Sequence, residues 1–347
     1  MNNAKAVGFL NHQRSGCMWY RIKHPMDTLK KAGVNVEMVE IDKDIENGKY
    51  QSVLFYGAYP FSMAKVLEYF KEQGTKIIYD TDDALNLIDI ENPNYYAVKR
   101  DVGSVTEILE YADEITVSTP VMKEYIATLT DKKITVVPNC YIDSEWQSVR
   151  SPHDELRIGF SGSSSHVQDL IDIIPIIKKL QDKYHFKFYI SGFGQTTYQE
   201  WFKQYRYIAQ PEATTELRKL DKLLSELSFE WVPFVDFSVF PYTLTNLALD
   251  IAICPLKDTP FNHHRSAIKA MEYTLTGALA IATDLPPYQN EPTSIRVKPD
   301  EWEETLEKYI LDKNLREQTR LEHLDWIKNN RNIDTQIDLL KSIYVVE

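Results

Sequence analysis

The stretch FNHHRSAIKAMEYTLTGALAIATD, residues 261–284, decides how this chain reads. It runs as a polar loop, a short helix, a glycine and then a small, buried strand. Arg265 and Ser266 stand where the helix should begin, Glu272 lies two turns along it, and Gly277 closes it. A helix N-terminus beside an arginine offers an anion unpaired N–H groups and the positive end of the helix dipole. A glutamate two turns later can accept hydrogen bonds from a pair of sugar hydroxyls, so the pattern suits a diphosphate joined to a ribose. The same residues also describe an amphipathic helix with Ala267, Ile268, Met271 and Leu275 packed inward. The segment alone leaves both readings open.

The segment resembles the donor-site helix of the retaining GT-B glycosyltransferases, the glycogen and sucrose synthase-like group (glycosyl transferases group 1). Those enzymes often read F-[GN]-x-x-[KR]-S-x-x-K-x-[LM]-E-[AY], then a small residue, a glycine and a V-I-A-[ST] strand. Phe261, Asn262, Arg265, Ser266, Lys269, Met271, Glu272, Tyr273 and Gly277 match. Many members carry a further glutamate eight residues before the second, and here that position is His264. The resemblance implies Glu272 on the ribose, Arg265 and the N–H groups around Ser266 on the diphosphate, and His264 beside the donor sugar.

Working outward, the 347 residues are enough for two domains, each with its own core. Hydrophobic content of 43% and charged content of 26% belong to the soluble globular class. Cys17, Cys140 and Cys254 are far apart and form no C-x-x-C pair, which argues against a disulfide framework or a zinc site and fits a reducing cytosol. The first residues show no signal-peptide pattern, and no apolar run approaches the roughly 20 residues of a membrane span. A cytoplasmic protein is expected, with room for peripheral membrane contact. The net charge of −12 is shared, with 17 Lys+Arg against 22 Asp+Glu in residues 1–150 and 22 against 29 in 151–347. Such a balance disfavours non-specific nucleic-acid binding, though not a local basic groove.

Short apolar runs at 5–10, 52–56, 76–79, 114–118 and 133–137 alternate with amphipathic stretches near 20–32, 61–73, 102–111 and 120–129. That alternation indicates βαβ units and a parallel sheet. An aperiodic passage, 138–155, carries Pro138 and Pro152 and holds the inter-domain linker. LRIGFSG (156–162) then opens a second series, continued at 187–192, 229–234, 250–256 and 278–284. The expected architecture is α/β, with two Rossmann-like doubly wound parallel-sheet domains facing a cleft, the GT-B arrangement. Expected boundaries are 1–145 for an acceptor domain, 146–155 for the linker, 156–330 for a nucleotide-sugar donor domain, and 331–347 for a helix crossing back. Ligands should then lie beyond the carboxyl ends of the strands.

Four further stretches bear on chemistry. In NHQRSGCMWYRIKH (11–24) a cationic island precedes the first acidic residue, Asp27, and its Arg14, Gly16 and Arg21 are candidates for a diphosphate or an anionic acceptor. A solvated loop anchored by Trp19 and Tyr20 is the plainer alternative. The G-x-x-Y-R pattern from Gly16 to Arg21, with one extra residue, also resembles the first loop of GT-B enzymes. SGSSSHVQDL (161–170) offers Gly162 and Ser163 at a strand–helix junction, as an anion cradle or as a serine-rich cap. Where the family often has an arginine and a lysine, this chain has Ser163 and Val167 with His166 between them, which leaves Arg265 and His166 for the leaving diphosphate. YDTDDALNLID (79–89) contains Asp80-Thr81-Asp82, formally a metal-binding D-x-D; acceptor contact or capping is the favoured reading, with Asp82 or Asp83 facing the cleft. ADEITVSTPVMKEYI (112–126) and VVPNCYID (136–143) resemble family segments that end the first domain and enter the hinge, and FEWVPFVDF (229–237) resembles one that meets the nucleotide base. The stripe Tyr198, Trp201, Phe202 and Tyr205 reads as core.

The expected function is transfer of a sugar from a nucleoside-diphosphate-sugar to a hydroxyl acceptor, with retention by the family resemblance, no resident cofactor and no divalent metal. Arg265, His166 and Asp82 are the catalytic candidates. The acceptor could be a glycan, a lipid-linked glycan or, in a phage-type member, a hydroxymethylated DNA base. A catalytically silent sugar-nucleotide-binding protein is the alternative from another class.

Overall fold

The computed structural model describes residues 5–11, 16–40, 48–193, 198–208 and 211–346, without the side chains of residues 11 and 204–208. Twelve described strands form two parallel sheets, as the alternating sequence pattern requires. β1 (Ala6–Asn11), β2 (Val36–Met38), β3 (Tyr50–Tyr56), β4 (Lys76–Thr81), β5 (Glu114–Val117) and β6 (Lys133–Val136) build the first, in the order β2-β1-β3-β4-β5-β6. β7 (Arg157–Ser161), β8 (Lys187–Ser191), β9 (Glu230–Val232), β10 (Ile251–Cys254), β11 (Leu279–Thr283) and β12 (Ile295–Val297) build the second, in the order β12-β11-β10-β7-β8-β9. Counted from β7, the second sheet has the 3-2-1-4-5-6 order of dinucleotide-binding folds. Strand order reverses between β1 and β3 in one sheet and between β7 and β10 in the other.

Both sheets are covered on both faces, so their strands are nearly continuous apolar runs. The second sheet sorts its side chains by size. Ile251, Ile253, Leu279 and Ile281 pack with Phe160 and Leu170 in one core. Ala252, Cys254, Ala280 and Ala282 lie in another, against Ala270, Met271 and Tyr273 of the helix Ile268–Leu275. Small residues on that face let the helix lie close to the sheet. Its end is a Schellman-type stop: Gly277 adopts φ 91°, and Ala278 N–H donates to Tyr273 O. The aromatic stripe also packs as core, with Trp201 and Phe202 buried against Leu217 and Leu220; the Tyr205 side chain lies outside the described residues.

In the first half, Gly16–Lys31 is one continuous helical segment with a wider, π-helical turn at Trp19–Lys23. Pro25 supplies the cause. It has no N–H for the carbonyl four residues back and its ring crowds that carbonyl, so His24 N–H closes a longer loop onto Trp19 O. The chain passes between the halves at two adjacent places, where Tyr141 N–H donates to Arg331 O and Ile333 N–H donates to Tyr141 O. The helix Ile337–Tyr344 then lies against the first sheet, with Leu340, Ile343 and Tyr344 buried against Phe9, Leu54 and Ile78.

Candidate functional site

The two switch points face each other. The segment after β1 and the loop after β4 come from the first half; the loops after β7 and β10 and the start of the helix Ile268–Leu275 come from the second. Several contacts join the halves here. Tyr20 Oη donates to Glu272 Oε1 at 2.7 Å. Asn139 Nδ2 donates to Ser266 Oγ at 2.9 Å. The rings of Tyr125 and His264 lie 4.9 Å apart.

On the second-half side, Asp169 organises the loops. Its Oδ1 accepts from Lys257 N and from Asn262 Nδ2, which ties the loop after β10 to the helix after β7. Its Oδ2 lies 2.6 Å from His166 Nδ1. His166 is buried, and burial with the nearby Lys269 and Arg265 charges depresses its pKa to about 3. A neutral ring that gives its Nδ1 proton to Asp169 must present Nε2 as an acceptor, and Arg265 Nη1 sits 2.8 Å from that nitrogen. Arg265 also lies over the Phe261 ring at 5.0 Å, while among the described residues its buried Nε has no hydrogen-bond partner. The guanidinium is therefore held in place but under-satisfied. His166 touches it rather than the open cleft, and is a positioning residue for Arg265.

Lys269 is the second cation here. It donates to Ser161 O at 2.7 Å, lies 5.5 Å from the Phe160 ring, and has its pKa lowered chiefly by burial. The cationic pair that the GT-B resemblance implies is missing from the loop after β7, and Lys269 reaches the start of that loop from the neighbouring helix. Gly162 and Gly192 make the loop tight: a Cβ on Gly192, at φ 93°, would stand 2.8 Å from Gly162 O. Ser163 is exposed, 2.8 Å from Ser165 in an Oγ···Oγ hydrogen bond. Glu272 is buried, and its pKa is raised to about 7 by burial, against the lowering pull of Lys269, Tyr20 and His24.

On the first-half side, Asp82 accepts from Tyr56 Oη at 2.8 Å. Asp83 beside it is pushed up to about 6 by burial and by Asp82, and Arg265 across the cleft pulls it down. Cys17 is held well above its usual thiol range by burial and by these two carboxylates.

Several expected positions are corrected. The helix starts at Ile268, not at Arg265, and a four-residue helix Pro260–His263, capped by Thr259, precedes it. Arg265 and Ser266 therefore lie in the turn between two helices, and Glu272 is one turn along the second. Arg21 was a candidate for a diphosphate or an anionic acceptor; it is instead buried, with Nε and Nη2 on the two oxygens of Asp80 and Nη1 on Val137 O and Asn139 Oδ1. Gly16, expected beside the same anion, lies against Phe237, where a Cβ would come within 2.1 Å of the ring. The Ser266 hydroxyl is engaged by Asn139, and His264 donates its Nδ1 proton to Pro260 O at 2.7 Å, which leaves Nε2 as an acceptor in the neutral ring. Arg14 lies outside the described residues. Asp169, Asn139 and Tyr20 were not singled out as site residues, and Lys269 only as a motif match. The three-residue step from His166 to Asp169 was the one available signal for the pair.

No family model matches the sequence, and no curated protein matches it. Solved structures do. The chain is similar to HepE of Anabaena in complex with UDP-glucose, with TM-score 0.64, 11% identity, and 98% of this chain and 100% of that one covered. It is similar to an alpha-glucosyltransferase in complex with UDP-glucose and DNA containing an abasic site, with TM-score 0.66, 9% identity and 99% of each chain covered. OtsA gives TM-score 0.58 and 12% identity over 96% of this chain and 79% of its own. The fold is GT-B.

Proposed function

We propose that the protein transfers a sugar from a nucleoside-diphosphate-sugar, with a UDP-sugar as the first candidate, to a hydroxyl acceptor, and that the anomeric configuration is retained. The observation that carries this reading is the convergence of Arg265, Lys269 and Glu272 at the switch point of the second sheet. Arg265 and Lys269 would offset the charge that builds on the leaving diphosphate, the main electrostatic demand of the reaction. Glu272 would accept the ribose hydroxyls, and His264 Nε2 would accept from a donor-sugar hydroxyl where relatives use a carboxylate. As the glycosyl–phosphate bond breaks, the acceptor oxygen bonds the anomeric carbon and its proton passes to the departing phosphate oxygen. Asp82 and Asp83 would hold the acceptor.

Structures bound to UDP-glucose support the donor class. A similar chain described in terms of glycosyltransfer with retention, trehalose-6-phosphate synthase, supports the stereochemistry. Arg265 and Lys269 would supply two cations for the diphosphate, and both oxygens of Asp80 are committed to Arg21, so the reading calls for no divalent metal and full activity is expected in a chelator. Among the described residues no helix is long and apolar enough to cross a membrane, and the proposed place of action is the cytoplasm.

The test is release of UDP from UDP-glucose, with and without acceptors, by wild type and by Arg265→Ala. Turnover abolished in the variant supports the reading. UDP-glucose binding without turnover by any acceptor would favour a silent binding protein. Full-length similarity to a DNA-bound glucosyltransferase favours one specific acceptor for trial, duplex DNA carrying hydroxymethylated bases. With a net charge of −12 any such binding must come from a local groove, and its affinity should fall steeply with salt.

A further inference from the structure

We infer that Tyr20, a residue of the first half, is a positioning residue for the Glu272 carboxylate, so that ribose recognition by the second half depends on the first; this rests on the donor reading above. Tyr20 sits on the π-helical turn forced by Pro25, which carries its ring into the core shared with Met271 and Tyr273. Tyr20 and Glu272 are only 3% and 7% exposed, and their oxygens are 2.7 Å apart. A carboxylate only accepts, so the phenol is the donor. Among the described residues no hydrogen bond reaches the second oxygen, Oε2, which leaves it for a ligand hydroxyl.

The groups facing this carboxylate are few. Lys269 and Tyr273 lie on its own helix, Tyr20 and His24 come from the segment after β1, and the Cys254 thiol comes from β10. Lys269, Tyr20 and His24 favour the ionised form while burial opposes it, and the balance falls at about 7. Tyr20 itself is raised well above its ordinary range by burial and by Glu272, so it keeps its proton at every working pH. One phenolic hydrogen bond from the other half therefore helps decide whether Glu272 is a two-site acceptor at neutrality. A ring that merely filled space would leave that balance unchanged.

The experiment measures UDP-glucose affinity from pH 5.5 to 9 for wild type, Tyr20→Phe and Glu272→Gln; the diphosphate diester of this probe does not titrate near neutrality. In wild type, affinity falls as pH drops through about 7. In Tyr20→Phe, which keeps the ring, the midpoint of that fall moves up by about one pH unit and affinity recovers at the alkaline end. Glu272→Gln binds weakly and without this pH dependence. A Tyr20→Phe midpoint identical to wild type, beside a weakened Glu272→Gln, overturns the inference and leaves the donor reading standing. Wild-type affinity in Glu272→Gln overturns the donor reading itself.

Discussion

Arg21 and Arg265 both lie where the halves meet, yet they are opposite kinds of arginine. Arg21 is buried, and each of its nitrogens has a partner in Asp80, Val137 or Asn139. Arg265 is half-exposed, stacked on Phe261 and steadied by His166, with a buried Nε that bonds nothing among the described residues. Buried donors in native proteins are nearly always paired, so a guanidinium that is oriented but incompletely satisfied is one that has room for an anion. The comparison separates a cation that holds the architecture from one proposed to meet a ligand, although in sequence each is an arginine beside small and polar residues.

The largest expected effect comes from unbalancing the satisfied site. Asp80→Asn leaves Arg21 buried without its counter-charge and should cost about 3–5 kcal/mol of stability in urea denaturation; a loss below about 1 kcal/mol would erase the distinction. Next is Arg265→Ala, which should lower the transfer rate about 10²–10³-fold while hardly changing the unfolding midpoint. Equal losses of stability and activity there would make Arg265 a second Arg21.

Glu272 sharpens the contrast through pH. Its pKa is raised to about 7 when folded, against 4.5 for an unperturbed glutamate. Between those values the folded protein holds a proton that the unfolded chain has released, so this group's contribution to stability falls as pH rises and a penalty remains at pH 8. Glu272→Gln should therefore gain about 1–3 kcal/mol on wild type at pH 8, with the gain shrinking toward pH 5, as denaturation at the two pH values would read. His166 runs the other way. Its pKa is depressed from 6.5 to about 3, so its contribution is complete above 6.5 and is lost as pH falls below that value. A loss of about 1–2 kcal/mol between pH 7 and 5 is expected, and it should be absent in His166→Gln.

The alternation of apolar runs made both parallel sheets legible, because residues such as Ile251 and Leu279 are buried on a two-sided sheet whatever their partners. β2 and β12 escaped because each sets a charged residue, Glu37 or Arg296, between its two apolar ones and so offers no continuous apolar run. In the candidate site, the helix-and-glycine pattern and the GT-B resemblance singled out Glu272 and Arg265, whose ligand roles are proposals. Arg21 was misplaced because its partner, Asp80, is 59 residues away and nothing local announces the pairing. Tyr20 was hidden for the same reason, being 252 residues from Glu272.

The helix Ile337–Tyr344 has a consequence for the timing of synthesis. It closes a face of the first sheet, where Ser52 Oγ donates to Tyr344 O and Lys76 Nζ donates to Ile343 O at 2.6 Å. The strands it covers are all made within the first half of the chain. At about 5–20 residues per second the ribosome needs on the order of 10–40 s to go from the end of that half to this helix. For that interval Phe9, Leu54 and Ile78 lack their final cover, and the nascent first half is a surface for chaperones to guard.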